Sequence, residues 1–239
     1  MPATRKALAL KNRNTMLHVS TLAKQEAVRV ISQGTGLGQQ DFGGFIRQAV
    51  PGIVARYGQI NAVTAADYYD TTRALFANAS KPYKAVIPTI DAVAKSETLI
   101  NYGMAAFMQQ GPDVVPNLLA EALTLQVANY NRDTMTYNSE QDTVTKTIQR
   151  VAEPGACAFC AMLSFTTTNS AEGKLIGVRT FDYVPDYHSN CHCTVEVIYE
   201  GEGPIVPDYY ADFAQEYDDA KGGSAQDVLA RIRQNTGRA

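Results

Sequence analysis

The chain of 239 residues is long enough to bury a substantial core, and its 45% hydrophobic and 19% charged residues are typical of a soluble globular protein. No apolar run approaches the roughly 20 residues that a membrane-spanning helix needs, and no apolar segment follows the basic start as it would in a secretory signal. The composition therefore argues against a membrane protein or a membrane partner and favours a protein that folds in the cytosol.

The net charge of −3 conceals an uneven distribution of charge along the chain. Residues 1–24 contain five cations and no acid, whereas residues 180–220 contain ten acids and no lysine or arginine. The five cations are Arg5, Lys6, Lys11, Arg13 and Lys24. Such a block favours phosphate or an acidic protein surface, so we expect a basic arm over residues 1–24, with a merely solvated terminus as the alternative.

The first three fifths of the sequence predict helices, which form a body over residues 25–142 after the basic arm. Ser20 is a suitable cap for a helix whose apolar positions recur at helical spacing as far as Ile31. Five glycines within residues 33–44 then predict a flexible connection, because the flanks of a nucleotide-binding glycine loop are missing.

The next helix start is predicted at Thr64, which has Asp67 three residues further on and precedes the Ala- and Tyr-rich residues 65–79. Pro82 and Pro88 interrupt the helical pattern.

Two more helices are predicted in the body. One runs from about Thr89 to Gly111-Pro112, and the other is capped by Asp113 and carries a stripe of Val, Leu and Ala toward Tyr130.

From residue 143 the sequence alternates in polarity and is rich in β-branched residues. Residues 143–151 and 194–199 predict short strands, and in the second of them Val195, Val197 and Tyr199 face one side. An extended linker and a weak helix around residues 209–217 complete the prediction.

All four cysteines lie in two tight pairs. A CxxC turn lets two thiolates face one ion, and a second short-spaced pair with a nearby histidine completes a tetrahedral zinc site. The sequences of the two pairs are Cys157-Ala-Phe-Cys160 and His188-Ser-Asn-Cys191-His192-Cys193. The candidate ligands of one zinc ion are therefore Cys157, Cys160, His188, Cys191 and Cys193.

Five candidates compete for four places, and the sequence leaves two ligand sets open. Cys191 and Cys193 share a face of an extended segment, which favours four cysteines with His188 hydrogen-bonded beside them; alternatively His188 replaces a cysteine. His192 is a weaker sixth candidate because adjacent residues point to opposite faces. Two disulfides would suit a secreted chain, and four unrelated thiols would rarely fall into two pairs, so zinc is the preferred interpretation.

The ligand set predicts a structural zinc ion, because catalytic zinc keeps a position open for water and this set offers four or more ligands, mostly sulfur. The HExxH, deaminase and GxSxG signatures are absent from the sequence. We therefore expect no enzymatic activity. The alternative is a zinc-dependent nuclease or other DNA-processing enzyme, which would need Asp182, Asp186 or Glu196 near the ion. A zinc module that binds DNA is disfavoured by the acidic residues 180–220.

Together these patterns predict an α+β fold in four parts. The basic arm over residues 1–24 precedes the helical body over residues 25–142. A small zinc-knuckle β subdomain over residues 143–200 follows, and residues 201–239 form an acidic linker and an extended C-terminal tail.

Three segments carry a resemblance to a known family: Arg150-Val151, Pro154-Gly155-Ala156-Cys157-Ala158-Phe159-Cys160-Ala161-Met162-Leu163 and Tyr187-His188-Ser189-Asn190-Cys191-His192-Cys193. They resemble the Mu F-like minor head proteins of tailed bacteriophages, and most closely the branch found in phages of actinobacteria. The resemblance covers residues 150–197, while Asn131-Arg132-Asp133-Thr134 upstream is similar in layout only. The family commonly has Arg at the position of His192, which puts a role for that basic side chain in doubt.

The resemblance implies a low-copy minor capsid protein inside the virion, assembled in the host cytoplasm and associated with the portal protein. It also implies a role in head assembly and in genome packaging or ejection. Contacts with the major capsid or scaffold protein, and with packaged DNA through the basic arm, are further expectations from that position.

Overall fold

The computed structural model describes residues 4–165, 167–170, 173–176, 178–179 and 191–238. The described residues do not include three predicted site residues, His188, Asp182 and Asp186. They also leave out most of the segment that leads to the second cysteine pair. The described part has the predicted α+β fold, with a helical N-terminal body followed by small sheets and further helices.

Four long helices form the body: α1 (Arg5–Ile31), α2 (Gln39–Phe76), α3 (Ala92–Gln110) and α4 (Val115–Gln141). Helices α1, α2 and α4 pack against one another, and α3 packs against α2 and α4. Their apolar faces meet in one continuous core that includes Ile31, Phe42, Ile46, Leu119 and Leu123. None of the described helices is both long enough and apolar enough to cross a membrane.

Helix α1 begins far earlier than predicted, so the predicted start at Ser20 is wrong. Thr4 caps the helix by accepting a hydrogen bond from the Ala7 amide at 3.2 Å, while the Ser20 hydroxyl donates to the Met16 carbonyl at 2.9 Å within the helix. The buried face continues back to Ala9, and its packing extends the helix through the basic block. Residues 5–24, expected as an arm, are therefore helical.

Four of the five cations of this block contact partners inside the chain. Arg5 pairs with Glu202 at 2.8 Å and Lys6 with Asp208 at 2.7 Å. In addition, Lys24 pairs with Glu121, and Arg13 donates to the Tyr209 hydroxyl at 3.3 Å. The positive start and the acidic linker thus neutralise each other at short range.

Helix α2 is one 38-residue helix, so the predicted helix start at Thr64 is wrong and the predicted glycine-rich loop ends at Gly38. One glycine inside α2, Gly58, allows α4 to approach closely. A Cβ atom on Gly58 would lie 2.6 Å from the Tyr130 ring of α4. Packing of α2 on α4 at this point therefore requires glycine.

Helix α3 begins and ends close to the prediction. The Asp91 carboxylate caps it by accepting hydrogen bonds from the Val93 and Ala94 amides, at 2.9 and 3.1 Å. Gly111 ends it with a φ of 90°. Asp113 does not cap α4, because a short 3-10 turn (Pro112–Val114) leads into that helix.

Beyond the body, β1 (Thr145–Val151) pairs antiparallel with both of its neighbours in a three-stranded sheet of order β4-β1-β5. The edge strands are β4 (Val178–Arg179) and β5 (Thr194–Tyr199). In the register, Ile148 lies opposite Val197. Strands β2 (Thr167–Ser170) and β3 (Gly173–Ile176) form a separate antiparallel pair.

The alternation predicted for β5 is confirmed, and the residues between the alternating positions are buried as well. Val195, Val197 and Tyr199 pack with Tyr69 of α2 and Met135 of α4. All six residues of β5 are buried, including those on the other face, because the strand runs between β1 and the body.

Three helices complete the C-terminal half. Helix α5 (Ala158–Phe165) follows the first cysteine, so the segment predicted as a β subdomain contains a helix within the cysteine motif. The segment predicted as an extended tail contains α6 (Tyr210–Ala220), which confirms the weak helix, and also α7 (Ala225–Thr236). A capping box of Ser224 and Asp227 starts α7, a local signal that the sequence analysis missed.

Candidate metal centre

Three of the predicted ligands converge on one buried point. The sulfur atoms of Cys160, Cys191 and Cys193 all lie within 4.8 Å of one another, and Cys160 Sγ is 3.7 Å from Cys191 Sγ. Thiolates bound tetrahedrally to zinc at about 2.3 Å are about 3.8 Å apart, so the observed spacing fits that ion. The structure places none of the four cysteines in a disulfide.

Cys157 lies beside this group, at the turn that begins α5. The Cys160 amide donates a hydrogen bond to Cys157 Sγ at 3.4 Å, and the thiols of Cys157 and Cys160 are in contact. The fold therefore brings the CxxC turn and the second cysteine pair to one place.

The thiols perturb one another strongly. Contacts with the thiols of Cys157 and Cys191 raise the pKa of Cys160. Hydrogen bonds from the thiols of Cys160 and Cys193 lower the pKa of Cys191, and the positive charge of Arg132 acts in the same direction. Thiolate character is thus concentrated within a buried cluster of sulfurs, where a metal cation would replace the shared protons.

Arg132 holds the second cysteine pair from the helical body. This α4 side chain is only 1% exposed. Its Nη2 donates to the Cys191 carbonyl at 2.5 Å and its Nε to the Cys193 carbonyl at 3.0 Å, while Nη1 donates to Asn129 Oδ1 at 2.8 Å. One planar guanidinium therefore fixes the backbone on both sides of His192.

Helix α6 covers the cysteine cluster with aromatic side chains. Tyr210 and Phe213 are buried against Cys160, Cys191 and Cys193. The neighbouring Tyr209 hydroxyl donates to the Ala152 carbonyl at 2.6 Å. This cover excludes water from one side of the centre and lowers the local dielectric around its charges.

Arg238 holds the first cysteine pair from the end of α7. Its Nη1 donates to the Ala156 carbonyl at 2.8 Å and to the Pro154 carbonyl at 3.3 Å. The guanidinium also forms a two-point ion pair with Glu216, with N–O distances of 2.9 and 3.0 Å, and its carbon lies 4.9 Å from the centre of the Phe213 ring. The turn before Cys157 is thus tied to α6 and α7.

His192 points to a carboxylate and is not part of the thiol group. Its Nδ1 lies 2.9 Å from Glu153 Oε1, and hydrogen bonding to Glu153 raises the pKa of His192. This position agrees with the expectation that His192 and its two cysteine neighbours face opposite ways. His188, the fifth predicted ligand, lies outside the described residues.

A family model described as VG15 protein matches residues 2–220, which is most of the chain. The chain belongs to the VG15 protein family. This is a family of viral gene proteins and indicates a phage protein. No curated protein and no solved structure matches the chain.

A metal-dependent enzyme would need a carboxylate beside its ion. Glu196, one of the three predicted candidates, hydrogen-bonds to other groups. Its Oε2 accepts a hydrogen bond from the Tyr68 hydroxyl, and its Oε1 accepts one from Thr194 at 3.2 Å. Burial raises the pKa of Glu196 to about 7. Asp182 and Asp186 lie outside the described residues. Among the residues that the structure does describe, the group able to hold a metal contains thiols alone.

Arg132 and Arg238, which contact the backbone around the cysteines, were not predicted as functional residues. Arg132 was singled out only as part of a segment whose layout is similar to that of the Mu F-like proteins, and no role was predicted for Arg238. One signal was available for Arg132, because a cation occurring within the otherwise apolar and small-residue face of a helix needs a buried partner. Arg238 gives no such signal, since its partners are 82 and 84 residues away in sequence.

Proposed function

We propose that this VG15 protein is a minor head protein of a tailed phage, associated with the portal on the inside of the capsid, and that its four cysteines hold one structural zinc ion. The observation that carries the proposal is the match of residues 2–220 to a viral family in a chain that also has the CxxC and HxxCxC motifs of minor head proteins. The fold adds a compact body with a separate cysteine centre.

The chemistry of the donor set supports zinc. Sulfur ligands in a closed arrangement favour zinc over magnesium or calcium, which prefer oxygen. The 3.7 Å sulfur spacing and the burial of Cys160, Cys191 and Cys193 suit a closed site. When bound, the ion would neutralise thiolates and join the CxxC turn to the segment just before β5, so its role is to hold structure rather than to activate water.

A structural role also accounts for the surroundings of the centre. The groups that contact the cysteine backbone are arginines and aromatic rings, which fix geometry and exclude water. A nuclease would instead need a carboxylate and an open position at the ion. The proposal is therefore a virion component without catalytic activity, whose partners are the portal and the major capsid or scaffold protein.

Contact with packaged DNA has weaker support than contact with the portal. Arg5, Lys6 and Lys24 already form ion pairs with Glu202, Asp208 and Glu121. A DNA phosphate would have to displace these acids, so any affinity for DNA should be low and strongly reduced by salt.

The test of the head assignment is to locate the protein in particles of the phage that encodes it. Mature virions, DNA-free heads and tails are separated, and the protein is quantified in each by mass spectrometry after amine cross-linking. The proposal predicts a few copies in heads, with cross-links to the portal protein. Absence from purified heads, or cross-links confined to tail proteins, would contradict it.

A further inference from the structure

We propose that Arg132 and Arg238 are positioning residues of the metal centre, each holding the backbone of one cysteine pair so that all four sulfurs face one ion. The proposal rests on the zinc assignment made above. Arg132 lies in α4 and Arg238 lies just after α7, two helices that contain no cysteine. Arg132 donates to the carbonyls of Cys191 and Cys193, and Arg238 donates to the carbonyls of Pro154 and Ala156 in the turn before Cys157.

The contacts of Arg132 set the direction of two sulfurs at once. Its donors meet the carbonyls of Cys191 and Cys193 at 2.5 and 3.0 Å. With both carbonyls held on the Arg132 side, the two side chains of this extended segment share one face and His192 takes the other, where it meets Glu153. Rotation of either peptide would break a buried, charge-assisted hydrogen bond.

Arg238 acts on the other pair. Its hydrogen bonds to the carbonyls of Pro154 and Ala156 hold the turn that delivers Cys157 to the start of α5. The ion pair with Glu216 fixes the guanidinium in turn, so the turn is attached to the helix that covers the centre.

The charge of the two arginines matters as well as their geometry. Four thiolates around a divalent cation leave two negative charges in a buried place, which is costly without nearby cations. A planar guanidinium can meet two carbonyls and supply charge together, whereas lysine supplies charge with a single flexible donor.

The experiment measures zinc affinity of the full chain by competition with a chelator, together with the visible spectrum of the cobalt-substituted protein. Arg132→Met and Arg238→Met are compared with wild type. Loss of residues that orient ligands typically costs about 10- to 100-fold in metal affinity. We expect a loss in that range for Arg132→Met, a smaller loss for Arg238→Met, whose side chain is 19% exposed, and altered cobalt spectra for both.

Two matched controls separate positioning from general stability. Arg73 is also buried, and it pairs with Asp142 at 2.5 Å and donates to the Lys81 carbonyl at 2.9 Å. Arg231 lies in α7, the helix that ends just before Arg238, and it donates to the carbonyls of Ala220 and Gly222. Arg73→Met and Arg231→Met should lower the melting temperature of metal-free and zinc-loaded protein alike and leave zinc affinity within about twofold of wild type, because neither arginine hydrogen-bonds to the backbone of a cysteine pair or of the turn before Cys157.

The outcomes discriminate between the two proposals. Wild-type zinc binding with equal affinity in Arg132→Met and Arg238→Met would overturn the positioning role while leaving the zinc centre intact. Full recovery by Arg132→Lys would also overturn it, since charge alone would then suffice. If Arg132→Met does not fold, Arg132→Lys and Arg238→Met carry the test. A wild-type chain that binds no zinc would overturn the zinc assignment and this proposal together.

Discussion

The helical body (α1 to α4) and the cysteine region (residues 145–238) of this protein are stabilised by different means. In the body, four long helices share one continuous core of large aliphatic and aromatic side chains. In the cysteine region, the apolar contacts divide into two smaller clusters, in which alanines and the cysteines themselves make up most of the buried side chains. We therefore expect the body to be stabilised mainly by burial of its core, and we propose that the cysteine region depends in addition on a bound metal and on hydrogen bonds from arginines.

The largest expected effect follows from removing one sulfur ligand. Cys191→Ser should abolish zinc binding and cost several kcal/mol of stability in residues 145–238, because structural zinc supplies folding free energy. Hydrogen exchange should then show loss of protection in β1, β5 and α5 while the buried amides of α2 and α4 remain protected.

Ala161→Ser is the control for this variant, since it adds a hydroxyl to the same buried cluster without removing a ligand. It should retain zinc and protection. Equal protection in Cys191→Ser and wild type would show that the cysteine region does not depend on its metal.

The second effect concerns the junction where β5 meets the body. Burial raises the pKa of Glu196 to about 7, above its ordinary value of 4.5. The folded protein therefore holds this proton more tightly than the unfolded chain, so the contribution of Glu196 to stability is full below about pH 4.5 and falls as the pH rises through 7. The loss amounts to about 3 kcal/mol.

Urea unfolding at pH 5 and pH 8 measures this effect. Glu196→Gln keeps a neutral side chain at both pH values, so from pH 5 to pH 8 the wild type should lose more unfolding free energy than the variant. The thiols titrate in both proteins, so their effect cancels when the two losses are subtracted. Parallel pH profiles for the two proteins would be inconsistent with a buried, proton-binding Glu196.

A third effect tests the close packing of the body. Gly58→Ala should destabilise the protein by about 1 to 3 kcal/mol, because the added methyl group would lie 2.6 Å from the rigid Tyr130 ring. Gly52→Ala in the same helix has open space and should stabilise by up to about 1 kcal/mol through helix propensity. Thermal unfolding compares the pair, and zinc content should be unchanged in both. The two substitutions should change the stability in opposite directions, and a stabilising Gly58→Ala would refute the close approach of α2 and α4.

The smallest effect separates two neighbouring cations that link α1 to the cysteine region. The Arg5 side chain is 13% exposed, pairs with Glu202 and lies 5.1 Å from the Tyr199 ring centre, whereas the Lys6–Asp208 pair is largely exposed. Arg5→Met should cost about 1 kcal/mol in urea unfolding, and Lys6→Met should be indistinguishable from wild type. Equal losses for the two variants would mean that burial does not distinguish these pairs.

The sequence predicted the elements whose signals are local. The helix from about Thr89, the Gly111 stop and the alternation of β5 all appear in the structure, because each depends on residues within one turn or one strand. The two tight cysteine pairs likewise indicated a shared site. Three of the four sulfurs are together in the structure, with Cys157 beside them.

Features that depend on tertiary contacts were missed. Burial along α1 overrides the Ser20 cap and carries the helix back to Arg5, and the approach of Tyr130 explains why a glycine stands at position 58 inside α2. Arg132 and Arg238 reach carbonyls that are 59 to 84 residues away, so no spacing in the sequence could connect them to the cysteines.

The central claim, a closed zinc centre of cysteines, is tested most directly by measuring zinc content and thiol reactivity on the purified, reduced full chain. We predict one zinc ion per chain, with all four thiols protected from alkylation until a chelator removes the metal. A chain that retains no zinc, with four thiols that react freely in the native state, would contradict the claim.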